Sequence, residues 1–299
     1  MGKKSDFSIA VILLVVMIPL FFFMVKNMDW TIGQDHEWNQ GREEDQQKDQ
    51  DKNGGSEENK EDQTDGKDKD KGEDKNKADE NQNKEKIIWG VDSASRTTEE
   101  LYVCVNEQFG EPKIWGRYLG SKEDVSQGMS KEEVNYLHEQ GTKILPIYNH
   151  FSKAEGYDHG IELAEHAISL AQEIGLPKEK VIFADIEPDY PVDAKFIQGW
   201  YDGIKKSPYH PGIYGIFAEE QPLFEVYEQA VKDKKELGEQ MIIWSAHPQL
   251  EVTAKEKAPE YQPNGPKGSL ILGWQYGIDA KECNIDTNLF KDEIMKYLW

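Results

Sequence analysis

From residue 87 to the C-terminus, short apolar runs alternate with amphipathic stretches. The runs I-I-W-G-V-D (87–92), K-I-W-G-R-Y (113–118), K-I-L-P-I-Y (143–148), V-I-F-A-D-I-E (181–187), G-I-Y-G-I-F (212–217), M-I-I-W-S-A (241–246) and L-I-L-G-W-Q-Y (270–276) predict strands. A short last strand, N-I-D (284–286), is expected after the turn G-I-D-A-K-E. Helical periodicity fills the first five gaps, most clearly at 161–175, which stops at Gly175 with Pro177 beyond. Strands that are apolar on both faces and alternate with helices imply a parallel sheet covered on its outer side. Eight of them predict an α/β, TIM-like barrel of five β/α units followed by three strands joined by loops.

Upstream the pattern changes twice. Residues 7–25, F-S-I-A-V-I-L-L-V-V-M-I-P-L-F-F-F-M-V, form one apolar run, about 28 Å long as a helix and close to the thickness of a bilayer core. Lys3 and Lys4 precede it and no small-x-small cleavage site follows. An uncleaved transmembrane anchor is therefore expected, with residues 1–6 cytoplasmic and the remainder exported. From Arg42 to Lys86 acidic and basic residues interleave, and Ala78 is the single apolar residue. Such a stretch buries too little to offset its ordering entropy, so 26–86 is expected to be a disordered tether. The folded domain is then 87–299, extracellular and held at the membrane.

The net charge of −22 over 299 residues argues against nucleic acid as a partner. It also makes docking on anionic surfaces unfavourable unless an anchor holds the protein there. The seven His residues show no paired ligand spacing, so no zinc site and no cofactor are expected.

Barrels of this kind place their chemistry at the C-terminal ends of strands. Polar residues recur there: Asp92 on the first strand, Arg117 and Tyr118 on the second, Tyr148 and Asn149 on the third, Asp185 and Glu187 on the fourth, and Asp286 on the last. Asp185 and Glu187 are two apart, so they share a strand face with Cα atoms roughly 6.6 Å apart. Alternation turns them inward with Asp92, Asn284 and Asp286, and turns Ile182, Ala184, Ile186, Cys283 and Ile285 outward. Four crowded carboxyls cannot all ionise, which suits glycoside hydrolysis, where one acid protonates the leaving oxygen and a carboxylate stabilises or attacks the sugar. Glu187, with the longer side chain, is the expected general acid. A structural acid network satisfied by Arg117 or backbone donors, and an oxygen-ligand site for Mg²⁺ or Ca²⁺, are the competing readings. Tyr148, Tyr190, Tyr214, Trp244, Trp274 and Tyr276 lie at or near strand ends and could stack on sugar rings; Arg117 and His247 could also line the mouth.

G-V-D-S at the first strand, F-A-D-I-E at the fourth, I-I-W-S-A at the sixth and W-Q-Y…N-I-D-T-N-L-F at the end resemble the glycoside hydrolase family 25 lysozymes. P-I-Y-N-H-F, the helix running to G-L-P, and P-G-I-Y-G resemble more closely the glycoside-hydrolase-like domain family (domain of unknown function 1906). The resemblance covers 87–299 in order. It implies a barrel of five β/α units and three further strands, a proton donor at Glu187 and supporting acids at Asp92, Asp185 and Asp286. It further implies peptidoglycan as substrate, cut as a muramidase cuts it. A glycan-binding or wall-assembly module that has lost turnover is the alternative on the same barrel.

Cys104 falls on the expected first helix and Cys283 on the last strand, next to each other in a closed barrel. Outside the membrane they could form a disulfide, or they could be two separate buried thiols.

Overall fold

The computed structural model describes residues 85–299, apart from the side chains of 247–249. The expected anchor 7–25, the tether up to residue 84 and the His247 side chain lie outside the described residues. Among the described residues no helix is long and apolar enough to cross a membrane.

The apolar runs form strands β1 (Ile87–Asp92), β2 (Ile114–Tyr118), β3 (Lys143–Tyr148), β4 (Val181–Asp185), β5 (His210–Ile216), β6 (Ile242–Leu250), β7 (Leu270–Gly277) and β8 (Asp286–Lys291). They close into one barrel in sequence order. Neighbours from β1 to β7 are parallel, and β8 runs antiparallel to both β7 and β1. Helices α1 (Glu99–Gln108), α2 (Lys131–Glu139), α3 (Tyr157–Ile174), α4 (Ala194–Lys205) and α5 (Pro222–Asp233), the last continued by α6 (Lys235–Gln240), fill the five expected gaps. Thr98, Ser130 and Asp193 cap the starts of α1, α2 and α4 with side-chain oxygens, and Gly175 ends α3 in the left-handed conformation at φ 90°.

Alternation along each strand builds two cores. Val181 and Phe183 of β4 join Ile114, Leu145, Ile147, Trp244 and Phe290 inside the barrel. Ile182 and Ala184 join Trp89, Val91, Trp115 and Ile213 under the helices. The same parity turns Asp185 inward at the mouth.

Three details depart from the sequence expectation. Strand β4 stops at Asp185 rather than at Glu187, because Pro188 has no N–H to continue a ladder and the Glu187 carbonyl instead accepts from Tyr190 N in a turn. The last strand is Asp286–Lys291, not 284–286: Cys283 and Asn284 sit at φ 64° and 44°, left-handed values that turn the chain before the strand starts. Asn284 therefore does not line the barrel and donates instead to the Ser95 hydroxyl at 2.8 Å. In β7 one extra residue stands opposite the Ile243–Trp244 step of β6, a bulge that resets the in/out alternation from Gly273 onward.

Helices α3 and α4 pack backbone against backbone. A Cβ on Gly199 would lie 2.0 Å from the Tyr157 carbonyl oxygen, and one on Gly160 would lie 2.5 Å from that of Phe196. Gly199→Ala is expected to cost about 1–3 kcal/mol, since neither helix can retreat without opening the core beneath it. Thermal denaturation checks this; an unchanged midpoint would show that the helices yield freely.

Cys104 on α1 and Cys283 in the β7–β8 turn form a disulfide with a Cα–Cα distance of 5.7 Å.

Candidate active site

Because β8 is antiparallel, its first residue lies at the same end of the barrel as the last residues of the parallel strands. Asp286 stands directly opposite Asp92 in the β1–β8 register. Asp185 arrives from the end of β4 and Glu187 from the turn beyond it. The four acids predicted to converge do share this mouth, together with Tyr118 of β2 and Tyr214 of β5, both of which feel all four charges.

A frame of donors holds three of the acids. Asp92 Oδ2 accepts from Asn288 Nδ2 at 2.6 Å and from Gln275 Nε2 at 3.1 Å. Gln275 Nε2 also reaches Asp286 Oδ2 at 3.2 Å, and Asp286 Oδ1 accepts from the backbone N–H of Asp279 at 2.7 Å. Asp185 Oδ2 accepts from the Tyr118 hydroxyl at 3.3 Å, while its Oδ1 is buried with no hydrogen-bond partner. The Glu187 carboxyl has no hydrogen bond to any described residue; the residue itself borders a cavity of about 20 Å³, room for one water, beside Ile186, Tyr190, Val192 and Leu223.

Burial raises every one of these acids, and repulsion from neighbouring carboxylates adds to the rise for Asp185, Glu187 and Asp286. Burial pushes Asp92 up to about 6 despite the donors from Asn288 and Gln275. It pushes Glu187 up to about 7, with Asp189 adding to the rise and Lys122 opposing it. Asp185 goes well above the carboxylate range through burial, then through Glu187 and Asp92. Asp286 does so through burial and Asp92, against the Asp279 N–H. Tyr118 and Tyr214 are raised well above the usual phenol range, first by burial and then by the surrounding carboxylates, so both remain donors. Near neutral pH the mouth therefore offers protonated acid and carboxylate together, the pair that glycoside cleavage requires.

The other predicted residues divide by strand face. Tyr214 and Trp244 point inward, their rings tilted 52° to each other at a centroid distance of 4.4 Å. Tyr190 lies in the loop after Glu187, bonded to Lys122 Nζ at 3.2 Å. Arg117 does not join the site: it is fully buried on the outer face, donating to Glu133 Oε1 at 2.6 Å and to the carbonyls of Ser93 and Gln127. Its parity is opposite to that of Tyr118, and a buried guanidinium needs its counter-ion there. Tyr148, Trp274 and Tyr276 also face the helices. Tyr148 bonds His166 Nδ1 at 2.9 Å, Tyr276 takes the indole N–H of Trp89, and Trp274 packs edge-on to Tyr261. The β7 bulge sets the parity that turns Trp274 and Tyr276 out and Gln275 in. Gln275 and Asn288 are the site residues that the strand pattern alone did not single out. Each is a lone amide in an apolar run, and a buried amide must find partners.

A closed β/α barrel with acids gathered at this mouth defines a glycoside hydrolase-like domain. The chain belongs to the Rv2525c-like, glycoside hydrolase-like domain family, whose model matches residues 111–249. Over 71% of its length it is similar to an uncharacterised protein of B. stearothermophilus, at 39% identity and a TM-score of 0.69, covering 100% of that chain. Weaker likenesses include the Tat-secreted protein Rv2525c of Mycobacterium tuberculosis, at 14% identity over 71% of this chain and 98% of that one, TM-score 0.48. The spore cortex lytic enzyme SleM of Clostridium perfringens matches at 15% identity over 71% of this chain and 69% of its own, TM-score 0.48. No curated protein matches the chain.

Proposed function

We propose that the protein is a glycoside hydrolase of peptidoglycan or a related wall glycan, with Glu187 as general acid and Asp92, Asp185 and Asp286 as supporting acids. The observation that carries this reading is the contrast among the four carboxyls. Three are held by protein donors, while that of Glu187 is free, half-buried and poised near neutrality. A general acid must reach the glycosidic oxygen of a bound substrate, so it is the group that should lack a partner in the empty site. Tyr214, half-buried and backed by the buried Trp244, supplies aromatic surface at the mouth. The test is incubation of the full-length protein with purified peptidoglycan and assay of new reducing ends. Saccharide binding without their release would favour the non-catalytic binding module instead.

In this reading residues 7–25 anchor the chain with its N-terminus in the cytoplasm, and the charged tether carries the barrel outside. The charged stretch 42–86, 45 residues long, by itself gives a reach of roughly 35–40 Å. Such a tether suits an acidic enzyme acting locally on an anionic wall. Protease added to intact wall-stripped cells is expected to remove the barrel and leave the anchor in the membrane. A barrel that is cut only after lysis would overturn the orientation.

A further inference from the structure

At the base of the site one hydrogen-bond direction is fixed by a group that can only donate, and a second follows from the chain of contacts around it. The indole Nε1 of Trp244 can only donate, and it lies 2.8 Å from Asn288 Oδ1, so the amide nitrogen of Asn288 must face Asp92. The Tyr214 hydroxyl donates to Gln275 Oε1 at 2.7 Å, which leaves Gln275 Nε2 facing Asp92 and Asp286. A flipped Gln275 would place its carbonyl oxygen between two carboxyls. Asp92 thus has two amide donors converging on one oxygen. Asp286 also has two donors, but on separate oxygens: the same Gln275 Nε2 at 3.2 Å and the Asp279 backbone N–H at 2.7 Å. Asp185 has one phenolic donor and a buried bare oxygen, and Glu187 has none.

We propose that Gln275, braced by Tyr214 and acting beside Asn288, is a positioning residue that favours the ionised form of Asp92. Protons at the mouth then reside more on Asp185 and Glu187, which have fewer donors. For catalysis this rests on the hydrolase reading; for the charge state of Asp92 it stands alone. Facing Asp92 are Tyr118 from β2, Asp185 and Glu187 from β4 and its turn, Tyr214 from β5 and Asp286 from β8, with Arg117 behind β2. Among these, the two amides are the close hydrogen-bond donors to Asp92.

The experiment is a carbon-13 NMR titration of the Asp carboxyls in the full-length protein, with the Asp92 signal identified by its loss in Asp92→Asn. A hydrogen bond to a charged group is strong enough that Gln275→Leu should raise the Asp92 midpoint by about one pH unit. Tyr214→Phe, which keeps the ring on Trp244, should raise it less but in the same direction, and it decides the matter if Gln275→Leu does not fold. An Asp92 midpoint that stays put in a folded variant would overturn the proposal, as would a lower melting temperature as the sole effect, since that is what a merely structural amide would produce. On wall glycan, the acid limb of kcat/KM in Gln275→Leu should move upward with the Asp92 midpoint. If the wild type shows no turnover, the hydrolase reading fails while the titration still decides the role of Gln275.

Discussion

Glu187→Gln is expected to reduce release of reducing ends from peptidoglycan by about 10²–10⁴-fold, the usual contribution of a positioned general acid. Gln has nearly the shape of Glu but no acidic proton to give to the leaving oxygen. The carboxyl makes no hydrogen bond to the described residues, so nothing in the fold depends on it, and the variant should melt no lower than the wild type. The wild-type pH profile should be bell-shaped. Its acid limb reflects Asp92, which must ionise and is held at about 6, and its alkaline limb reflects Glu187, which must keep its proton and is held at about 7. Wild-type turnover by the variant would remove Glu187 from the mechanism. Stability should follow the same groups with a definite sign. Their folded values lie above the ordinary 3.8 and 4.5, so between about pH 4 and 7 the folded state holds protons that the unfolded chain has released. The melting temperature is therefore expected to fall as pH rises through this window. Glu187→Gln, which removes one of the raised acids, should flatten that fall; a slope identical to the wild type would contradict the assigned cause.

Reduction of the Cys104–Cys283 bridge, or the Cys104→Ser and Cys283→Ser substitutions together, should cost roughly 2–5 kcal/mol. The bridged residues are 179 apart, so the bond excludes a large part of the unfolded ensemble, which places the expectation near the upper end on a chain-entropy account. At about 2–4 °C per kcal/mol for a domain of this size, the melting temperature should drop by roughly 4–20 °C. The bond also ties the β7–β8 turn to α1, beside the Ser93 hydroxyl that donates to the Asn284 carbonyl at 2.8 Å. The same turn carries the Asp279 N–H that holds Asp286. Melting curves with and without reductant measure the effect directly, and coincident curves would show that the bond adds nothing the barrel lacks.

The free Glu187 and the frame behind Asp92 differ in how far the sequence revealed them. Asp185 and Glu187 were legible because an apolar run ending in D-x-E points to the mouth by simple alternation, although β4 itself stops at Asp185. Asp92 was legible for the same reason on β1. Asp286 was placed correctly at the mouth, although its strand starts there instead of ending, because its antiparallel course was not visible in the residues. Arg117, Tyr148, Trp274 and Tyr276 were expected at the mouth from their nearness to strand ends. Nearness does not decide facing: Arg117 and Tyr148 have outward parity, and the β7 bulge sets the facing of Trp274 and Tyr276. The side chain of His247 lies outside the described residues.

Local pattern by itself determined the number and order of strands, the five β/α units and the turn at Gly175. These follow from hydrophobic periodicity and backbone preference, which act over a few residues. Tertiary structure alone decided that Gln275 and Asn288 grip Asp92, that Arg117 is spent on Glu133, and that Cys104 meets Cys283. The first and last depend on register, a bulge and the closing of β8 against β1, which bring together groups nearly the whole domain apart in sequence, while the Arg117–Glu133 pair depends on how α2 packs on β2. An amide's need for partners is written in its chemistry, but which partners it finds is set only when the barrel closes.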